Sequence, residues 1–314
     1  MSAVATRAGF VAIVGAPNAG KSTLVNALVG SKVSIVSPKV QTTRMRVIGI
    51  AMTELPDQGE GGGKAQVVLV DTPGIFRIAK RRLERAMVAA AWQGAEDADI
   101  VALVVDAERG LGEETRAIAE RLKESRAPCY LILNKIDLVP REKLLALTAE
   151  LNALSAFDRT FMVSALKRDG VADILAAFAS GLPAGPFLYP EDQAADLPMR
   201  LLAAEVTREQ VFLQLHQELP YEAAVETDQW QERKDGSVRI EQTIHVQRES
   251  QRAIVLGKGG ARIKQIGARA RHELTQMLDR QVHLFLHVKV SERWTEDPAH
   301  YRAIGLDYDG RQKT

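Results

Sequence analysis

The chain has 314 residues, of which 46% are hydrophobic and 26% are charged, and this length and composition predict two globular domains. A net charge of +1 excludes a uniformly basic surface, so a nucleic-acid interface would need a local cluster of charge. The single cysteine, Cys129, excludes an internal disulfide and predicts a buried thiol in a reducing compartment inside the cell. No stretch reaches about 18 consecutive apolar residues, so no transmembrane helix is expected.

The first 180 residues alternate between short apolar runs and amphipathic segments. Strands are predicted at 9–14, 46–52, 66–70, 100–105, 129–133 and 160–163. Helices are predicted at 21–29, 80–92, 112–124, 141–154 and 171–179. This alternation is typical of a mostly parallel sheet with helices on both faces, which binds ligands at the carboxyl ends of its strands.

Residues 181–199 interrupt this pattern, because four prolines and two glycines fall within these 19 residues. Such a composition predicts a linker between domains over 1–180 and 200–290, with a tail over 291–314. The second domain predicts the order helix, strand, strand, helix, helix, strand. Its elements are predicted at 201–217, 221–233, 238–247, 250–256, 261–278 and 281–290.

A glycine-rich loop between the first strand and the first helix fits the P-loop pattern GxxxxGK[ST]. Its glycines allow backbone N–H groups to wrap a phosphate, and the helix N-terminus adds a favourable dipole. We expect Lys21 to contact the β- and γ-phosphates and Ser22 to bind Mg²⁺. The loop consists of Gly15, Ala16, Pro17, Asn18, Ala19, Gly20, Lys21 and Ser22.

Two further segments are expected near the γ-phosphate. Asp71 ends a predicted strand and can hold Mg²⁺, usually through water, while the Gly74 N–H can reach the γ-phosphate. Residues 41–44, Gln-Thr-Thr-Arg, occupy the place of a first switch, where either Thr42 or Thr43 is expected to bind Mg²⁺. The residues expected around Asp71 are Asp71, Thr72, Pro73, Gly74 and Ile75.

Two segments at the next strand ends predict recognition of guanine. The carboxylate of Asp137 can accept hydrogen bonds from guanine N1–H and N2–H₂, a donor pair that adenine lacks. Lys135 is expected to pack over the base, and a backbone N–H of the second segment is expected to support it. The two segments are Asn134, Lys135, Ile136 and Asp137, and Ser164, Ala165 and Leu166. With the P-loop and Asp71 they predict an α/β P-loop GTPase domain of the Ras-like kind that binds GTP and GDP.

Residues 257–260, Gly-Lys-Gly-Gly, lie between two predicted helices and fit the GXXG loop of KH domains, which clamps about four nucleotides of a single strand. The order of the elements predicts a small α+β type II KH domain. Residues 248–271 hold seven basic residues and one acidic residue, which is a local charge of +6. The alternative is a solvated helix face beside two loop glycines. The predicted RNA-binding residues are Gly257, Lys258, Gly259, Gly260, Arg252, Arg262 and Lys264.

The motifs GAPNAGKS, QTTR, DTPG, NKID, SAL, PFLYPEDQ, ELPY and GKGG together resemble the bacterial Era GTPase family, from about Gly9 to Tyr308. The resemblance implies a GTP-hydrolysing switch that binds the 3′ end of 16S rRNA and assists 30S ribosomal subunit assembly and rRNA maturation. It also implies a cytoplasmic monomer with a peripheral fraction at the inner membrane. The alternatives are a tRNA-modification GTPase and an RNA-binding module whose GTPase fold is vestigial.

Related bacterial GTPases also guide the interpretation of two residues. They place threonine directly before arginine in the first switch, which favours Thr43 over Thr42. Ile75 cannot orient water where Ras carries glutamine, and GTPases with this replacement often use a P-loop asparagine to bind K⁺. This assigns K⁺ binding to Asn18, with support of the turn as the alternative. The residues predicted to act in hydrolysis are Lys21, Thr43, Gly74 and Asn18.

Overall fold

The computed structural model describes residues 5–37, 43–44, 46–55, 63–75, 82–215 and 223–291, together with Pro298, Tyr301 and Leu306. The chain divides into two compact units. The first contains Met1–Ser34 and Thr43–Asp196, and the second contains Leu197–Ile304. Among the described residues, no helix is long and apolar enough to cross a membrane.

The first unit is built on a seven-stranded sheet with the order β6-β5-β4-β1-β3-β2-β7. Strand β1 is parallel to β3 and β4, and β5 is parallel to β4 and β6, which confirms the predicted mostly parallel sheet. Strand β2 is antiparallel to its neighbours β3 and β7. The strands are β1 (Thr6–Val14), β2 (Val47–Glu54), β3 (Lys64–Asp71), β4 (Ile100–Asp106), β5 (Cys129–Asn134), β6 (Arg159–Val163) and β7 (Ala195–Asp196).

Helices cover both faces of this sheet. They are α1 (Lys21–Val29), α2 (Arg82–Glu96), α3 (Glu113–Leu122), α4 (Arg141–Leu154) and α5 (Val171–Gly181). Every residue of β4 and β5 is buried, because successive side chains of a strand enter opposite apolar layers. Val104 packs with Leu24 and Phe178 on one face, whereas Leu103 packs with Trp92 and Ile118 on the other. Cys129 is buried as expected.

The proline-rich segment after α5 is bound to the first unit for much of its length. The side-chain oxygen of the buried Gln66 accepts hydrogen bonds from the N–H groups of Leu188 and Tyr189, at 2.8 and 2.9 Å. Its amide nitrogen donates to the Tyr189 carbonyl at 2.8 Å. Strand β7, which the proline-rich composition did not predict, then pairs with β2. Proline-rich composition predicts an extended chain, but it does not distinguish a free linker from a segment bound to the domain surface.

In the residues that the structure describes up to β10, the second unit places three helices against a three-stranded sheet with the order β10-β9-β8. Strand β9 is antiparallel to β8 and parallel to β10. Helix α8 has the predicted bounds, and it begins after Gly260 because that residue has a left-handed backbone. The elements are α6 (Met199–Gln214), β8 (Ala224–Glu232), β9 (Val238–Val246), α7 (Glu249–Leu256), α8 (Ala261–Leu278) and β10 (Val282–Val290). Their order confirms the predicted KH arrangement.

Candidate functional site

The P-loop follows β1 and opens α1, and two of its glycines are required by close packing. Gly15 has φ 154°, and a Cβ there would lie 2.3 Å from the Val104 carbonyl oxygen of β4. Gly20 has φ 92°, and a Cβ there would lie 2.2 Å from the Asn134 side-chain nitrogen. A side chain at either position would therefore displace a neighbouring strand end. Asn18 also has a left-handed backbone, with φ 63°, a conformation that asparagine tolerates well.

Lys21 is buried beneath this loop with its ammonium group on two loop carbonyls. Nζ donates hydrogen bonds to the carbonyl oxygens of Gly15 and Ala16 at 3.1 and 3.0 Å. Burial lowers the pKa of Lys21 to about 8, while the nearby Asp71 charge acts to raise it. A phosphate in the loop would add negative charge beside this buried ammonium group, and the contact of Lys21 with the nucleotide stays a prediction.

The three predicted Mg²⁺ ligands meet at the carboxyl end of β3. Ser22 Oγ donates to Asp71 Oδ2 at 2.7 Å and lies 2.8 Å from Thr43 Oγ1. Thr43 Oγ1 is 3.4 Å from the same carboxylate oxygen. Thr42, the alternative ligand, and Gln41 lie outside the described residues.

This cluster fits a magnesium ion. Asp71 is fully buried, and its Oδ1 has no hydrogen-bond partner in the described part of the chain. Burial raises the pKa of Asp71, while hydrogen bonds from Ser34 and Ser22 and the charge of Lys21 lower it. Mg²⁺ prefers a few oxygen ligands together with substrate phosphates and water, and two hydroxyls with one carboxylate supply such a set. The described residues contain no group of three or more His, Cys, Asp or Glu residues that could hold a metal.

The segment from Thr72 to Ile75 is fixed against the P-loop. Thr72 Oγ1 donates to the Ile13 carbonyl of β1 at 2.7 Å, and the Ile75 N–H donates to the Gly15 carbonyl at 3.2 Å. A Cβ on Gly74 would come within 3.0 Å of Pro17, so glycine allows this approach. The Ile75 side chain is buried in the apolar cluster that contains Trp92. Ile75 therefore serves packing, consistent with a hydrolytic device elsewhere.

Asn134 joins the predicted base site to the P-loop. Its side-chain nitrogen donates to the Ala19 carbonyl at 3.0 Å, and its oxygen accepts from the Ala165 N–H at 3.0 Å. The next residue, Lys135, has φ 66° and contacts Asp106 Oδ2 through Nζ at 2.5 Å. These contacts hold the loops after β1, β5 and β6 in one arrangement.

The carboxylate of Asp137 is kept ionised. A hydrogen bond from the Ser164 side chain lowers its pKa, and Lys167, whose Nζ lies 3.4 Å from Asp137 Oδ2, lowers it further. An ionised carboxylate is the acceptor that guanine N1–H and N2–H₂ require. Leu166, the last residue of the second predicted base segment, is 82% exposed.

The predicted GXXG loop joins α7 to α8 through three glycines with positive φ. Gly257 has φ 69°, and a Cβ there would lie 2.8 Å from the Arg262 Cβ, so this glycine is needed for packing. Gly259 and Gly260 have φ 61° and 76°, and nothing lies within 4 Å of a Cβ added to either. These two glycines leave an open backbone surface that a sugar-phosphate chain can approach.

The predicted basic contacts divide into exposed and structural residues. Arg252, Lys258 and Lys264 are exposed. Arg262 is half-buried, and its guanidinium donates to the Gln214 carbonyl at the end of α6 at 3.0 Å. Since cations at a helix C-terminus satisfy its last carbonyl groups, Arg262 holds α6 as well as carrying charge.

A groove of about 410 Å³ lies between α8 and β10, and of its lining residues only Lys264 was predicted to bind RNA. Phe285 on β10 is 43% exposed, and the Arg239 guanidinium lies 4.5 Å from its ring centroid. Apolar surface beside basic groups suits unstacked bases of a single strand. Its signals in the sequence were an aromatic residue on a predicted strand and the basic run 248–271, which contains Lys264 and Arg271. The groove is lined by Ile263, Lys264, Gly267, Ala268, Arg271, Leu284, Phe285 and Leu286.

The fold and its motifs define a P-loop GTPase joined to a KH domain. A family model described as 50S ribosome-binding GTPase matches residues 10–135, and a KH domain model matches residues 218–295. GTPase Era of Bradyrhizobium sp. strain ORS 278 is 59% identical over 304 residues, covering 97% of this chain and 96% of the relative. The chain belongs to the Era family of GTPases.

Two solved structures share this architecture along nearly the whole chain. A variant of Aquifex aeolicus Era bound to GDP.AlF4- has a TM-score of 0.87 at 38% identity and covers 95% of this chain and 99% of its own. A structure of Era with MgGDPNP and nucleotides 1506–1542 of 16S ribosomal RNA has a TM-score of 0.88 at 38% identity, covering 96% and 99%.

Proposed function

We propose that this GTPase binds the 3′ end of 16S rRNA through its KH domain and assists 30S subunit assembly and rRNA maturation. The observation that carries the proposal is the open glycine pair, Gly259 and Gly260, beside the basic and apolar groove. The same architecture in an Era relative is complexed with 16S rRNA nucleotides and MgGDPNP. Exposed Lys258 and Lys264 would meet phosphates, while Phe285 would contact a base.

We assign the nucleotide contacts to the residues that meet at the carboxyl edge of the first sheet. Lys21 and the loop from Gly15 to Ser22 hold the phosphates, and Asp137 selects guanine. Ser22, Thr43 and Asp71 would hold Mg²⁺, which, when bound, neutralises charge on the phosphate oxygens. Thr43 and the Gly74 N–H contact the γ-phosphate, so the loss of that group on hydrolysis releases both segments. This contact is what makes the molecule a switch.

For hydrolysis, we assign to Asn18 a role in binding K⁺ beside the phosphates. Support comes from Ile75, whose buried side chain offers no hydrogen bond to water. The left-handed backbone of Asn18 also supports its alternative role in the turn. A variant that keeps the turn and removes the amide separates the two roles.

We propose that the nucleotide state controls RNA binding through the chain that leaves the first unit. Strand β2 begins at Val47, shortly after the switch residue Thr43, and pairs with β7. Only Leu197 and Pro198 separate β7 from α6. A rearrangement of the switch therefore has a short route, through the strand pair, to the first helix of the KH unit. We place this activity in the cytoplasm, in a monomer with a peripheral fraction at the inner membrane, as the Era resemblance and the single cysteine suggest.

The test is crosslinking of RNA in cells, followed by sequencing, for the native chain and for Gly259→Asp. The variant puts a carboxylate where a phosphate should pass. Gly236→Asp is the matched control, because Gly236 also has positive φ, at 81°, and open space around it, but lies in the β8–β9 turn. Substitution causes similar backbone strain at both glycines. A difference in crosslinking between the two variants therefore reports RNA contact.

We expect enrichment at the 3′ end of 16S rRNA in the native chain and in Gly236→Asp, and its loss in Gly259→Asp. Crosslinks that centre on tRNA would favour the tRNA-modification alternative instead. Crosslinks that are equal in both variants would remove the loop from the RNA interface. Turnover of GTP by the purified chain separates a working switch from a vestigial fold.

A further inference from the structure

The Mg²⁺-site carboxylate has a third hydroxyl partner that none of the sequence motifs contains. Ser34 Oγ donates to Asp71 Oδ2 at 2.6 Å, the shortest of the three hydroxyl contacts to this oxygen. Ser34 is 2% exposed and Asp71 is fully buried, so water does not compete for this bond. A charge-assisted hydrogen bond inside the protein is among the stronger polar contacts.

The position of Ser34 is itself fixed by a side chain of α1. Asn26 Oδ1 accepts hydrogen bonds from the N–H groups of Val33 and Ser34, both at 2.9 Å. Asn26 Nδ2 donates to the Ser34 carbonyl at 2.7 Å. Gly30, with φ 83°, ends α1 and turns the chain back so that these contacts can form. Three hydrogen bonds between the Asn26 amide and the backbone of Val33 and Ser34 thus direct the Ser34 hydroxyl toward β3.

The three hydroxyls around Asp71 are not equivalent. Ser22 and Thr43 are the assigned metal ligands, so their oxygen lone pairs would turn to Mg²⁺ when it binds. Ser34 belongs to no assigned ligand set, and Asn26 holds its backbone, so its hydroxyl can keep donating to Asp71. Groups that hydrogen-bond a metal-site carboxylate fix its orientation, and their removal typically costs about 10-fold or more in metal affinity.

We propose that Ser34, held by Asn26, is a positioning residue that orients the Asp71 carboxylate for Mg²⁺. This inference rests on the proposed role of Asp71 at the metal. Its consequence is that loss of the Ser34 hydroxyl raises the Mg²⁺ concentration needed to retain nucleotide and leaves metal-free nucleotide binding intact. A role of Ser34 in folding alone would change both.

The experiment measures the release rate of fluorescent GDP from the full chain across free Mg²⁺ concentrations, from excess EDTA to millimolar Mg²⁺. The variants are Ser34→Ala, which removes the donor, and Ser34→Cys, which keeps a weak one. Ser155→Ala is the control, because Ser155 is also a buried serine of the first unit but follows α4, outside the nucleotide motifs. Thermal unfolding of each nucleotide-free variant checks that it is folded.

We expect the Mg²⁺ concentration for half-maximal slowing to rise about 10-fold in Ser34→Ala and by less in Ser34→Cys. Release in EDTA should match the native chain, and Ser155→Ala should match it throughout. The inference is overturned if Ser34→Ala keeps the native Mg²⁺ dependence, or if its release in EDTA accelerates equally. Ser22→Ala distinguishes failure of the metal-site assignment from failure of the Ser34 inference. If it too keeps the native dependence, the metal assignment fails as well, whereas a loss confined to Ser22→Ala refutes Ser34 alone.

Discussion

The side-chain amide of Asn134 bridges Ala19 and Ala165, with hydrogen bonds of 3.0 Å to the backbone of each. Asn134 is 2% exposed, so its removal leaves two buried backbone groups without partners. We predict that Asn134→Ala lowers the free energy of unfolding by about 2 kcal/mol.

The same substitution should weaken GDP binding at least ~10-fold, because about 1.4 kcal/mol corresponds to that factor and the loops lose their common anchor. Denaturant unfolding and titration with fluorescent GDP measure the two effects. Asn152→Ala on the exposed surface of α4, where the amide nitrogen donates to the Thr148 carbonyl, is the control. Native-like GDP binding by Asn134→Ala would show that the bridge does not hold the site.

Exchange of one atom type at Asp137 should change the preferred base. In Asp137→Asn an amide replaces the carboxylate, so one acceptor for guanine N1–H and N2–H₂ becomes a donor. Affinity for GDP should fall by more than ~100-fold, whereas affinity for xanthosine diphosphate, which has a carbonyl at position 2, should rise. Competition binding with both nucleotides measures the exchange. A parallel loss for both bases would mean that Asp137 supports the loop without reading the base.

The Asn18 assignment predicts that hydrolysis of GTP is about 10-fold faster in K⁺ than in Na⁺. Asn18→Gly is the informative variant, because glycine adopts the observed φ of 63° and lacks only the amide. Its rate should be low and equal in both salts, as measured by phosphate release. A K⁺ response that survives in Asn18→Gly would assign Asn18 to the turn, and equal rates in the native chain would remove K⁺ from the mechanism.

The KH unit should lose stability in mild acid through His245. Burial lowers the pKa of this histidine, with Lys289 acting in the same direction and Glu226 and Asp228 against it. The unfolded chain therefore binds a proton at about pH 6.5 that the folded chain resists, so stability falls as the pH drops below that value.

His245→Gln, which can still contact Ser291, should flatten this dependence. The difference in unfolding free energy between the variant and the native chain should change by at most about 1.4 kcal/mol per pH unit between pH 7.5 and 5. Denaturant unfolding at each pH measures it, and the shared carboxylates cancel in the difference. A constant difference would show that His245 titrates alike in both states.

The proline-rich segment that Gln66 holds through Leu188 and Tyr189 should be needed for the nucleotide state to control RNA binding. Gln66→Leu keeps the volume but removes the hydrogen bonds to Leu188 and Tyr189. The ratio of RNA affinities with GDPNP and with GDP should fall toward one, while GDP affinity itself is retained. Gln93→Leu, on the exposed side of α2, is the control. An unchanged ratio in Gln66→Leu would place the coupling outside the β2–β7 pair.

Elements that are signalled by neighbours in sequence were predicted well. Helix α8 has the predicted bounds, and the P-loop, Asp71 and Asn134 lie at the predicted strand ends because local glycines and apolar runs determine both. Contacts between distant segments could not be predicted in this way. Nothing in the sequence indicates that Ser34 would reach Asp71, or that Gln66 would bind the proline-rich segment. Arg262 and Lys264 both belong to the basic run 248–271 and could not be told apart in the sequence. The structure shows that Arg262 also has a structural role, because its guanidinium donates to the end of α6.

The contact between Gly20 and Asn134 has a consequence for how this site can evolve or be redesigned. The phosphate loop and the base loop pack so closely that a methyl group on residue 20 would collide with the Asn134 amide. A chain that explores new nucleotides one mutation at a time therefore meets a barrier at this pair. Gly20 also has φ 92°, which strains any side chain whatever space is made for it. Since Asn134 anchors both loops, we expect functional substitutions at neither position, and libraries for altered specificity should keep the two residues fixed.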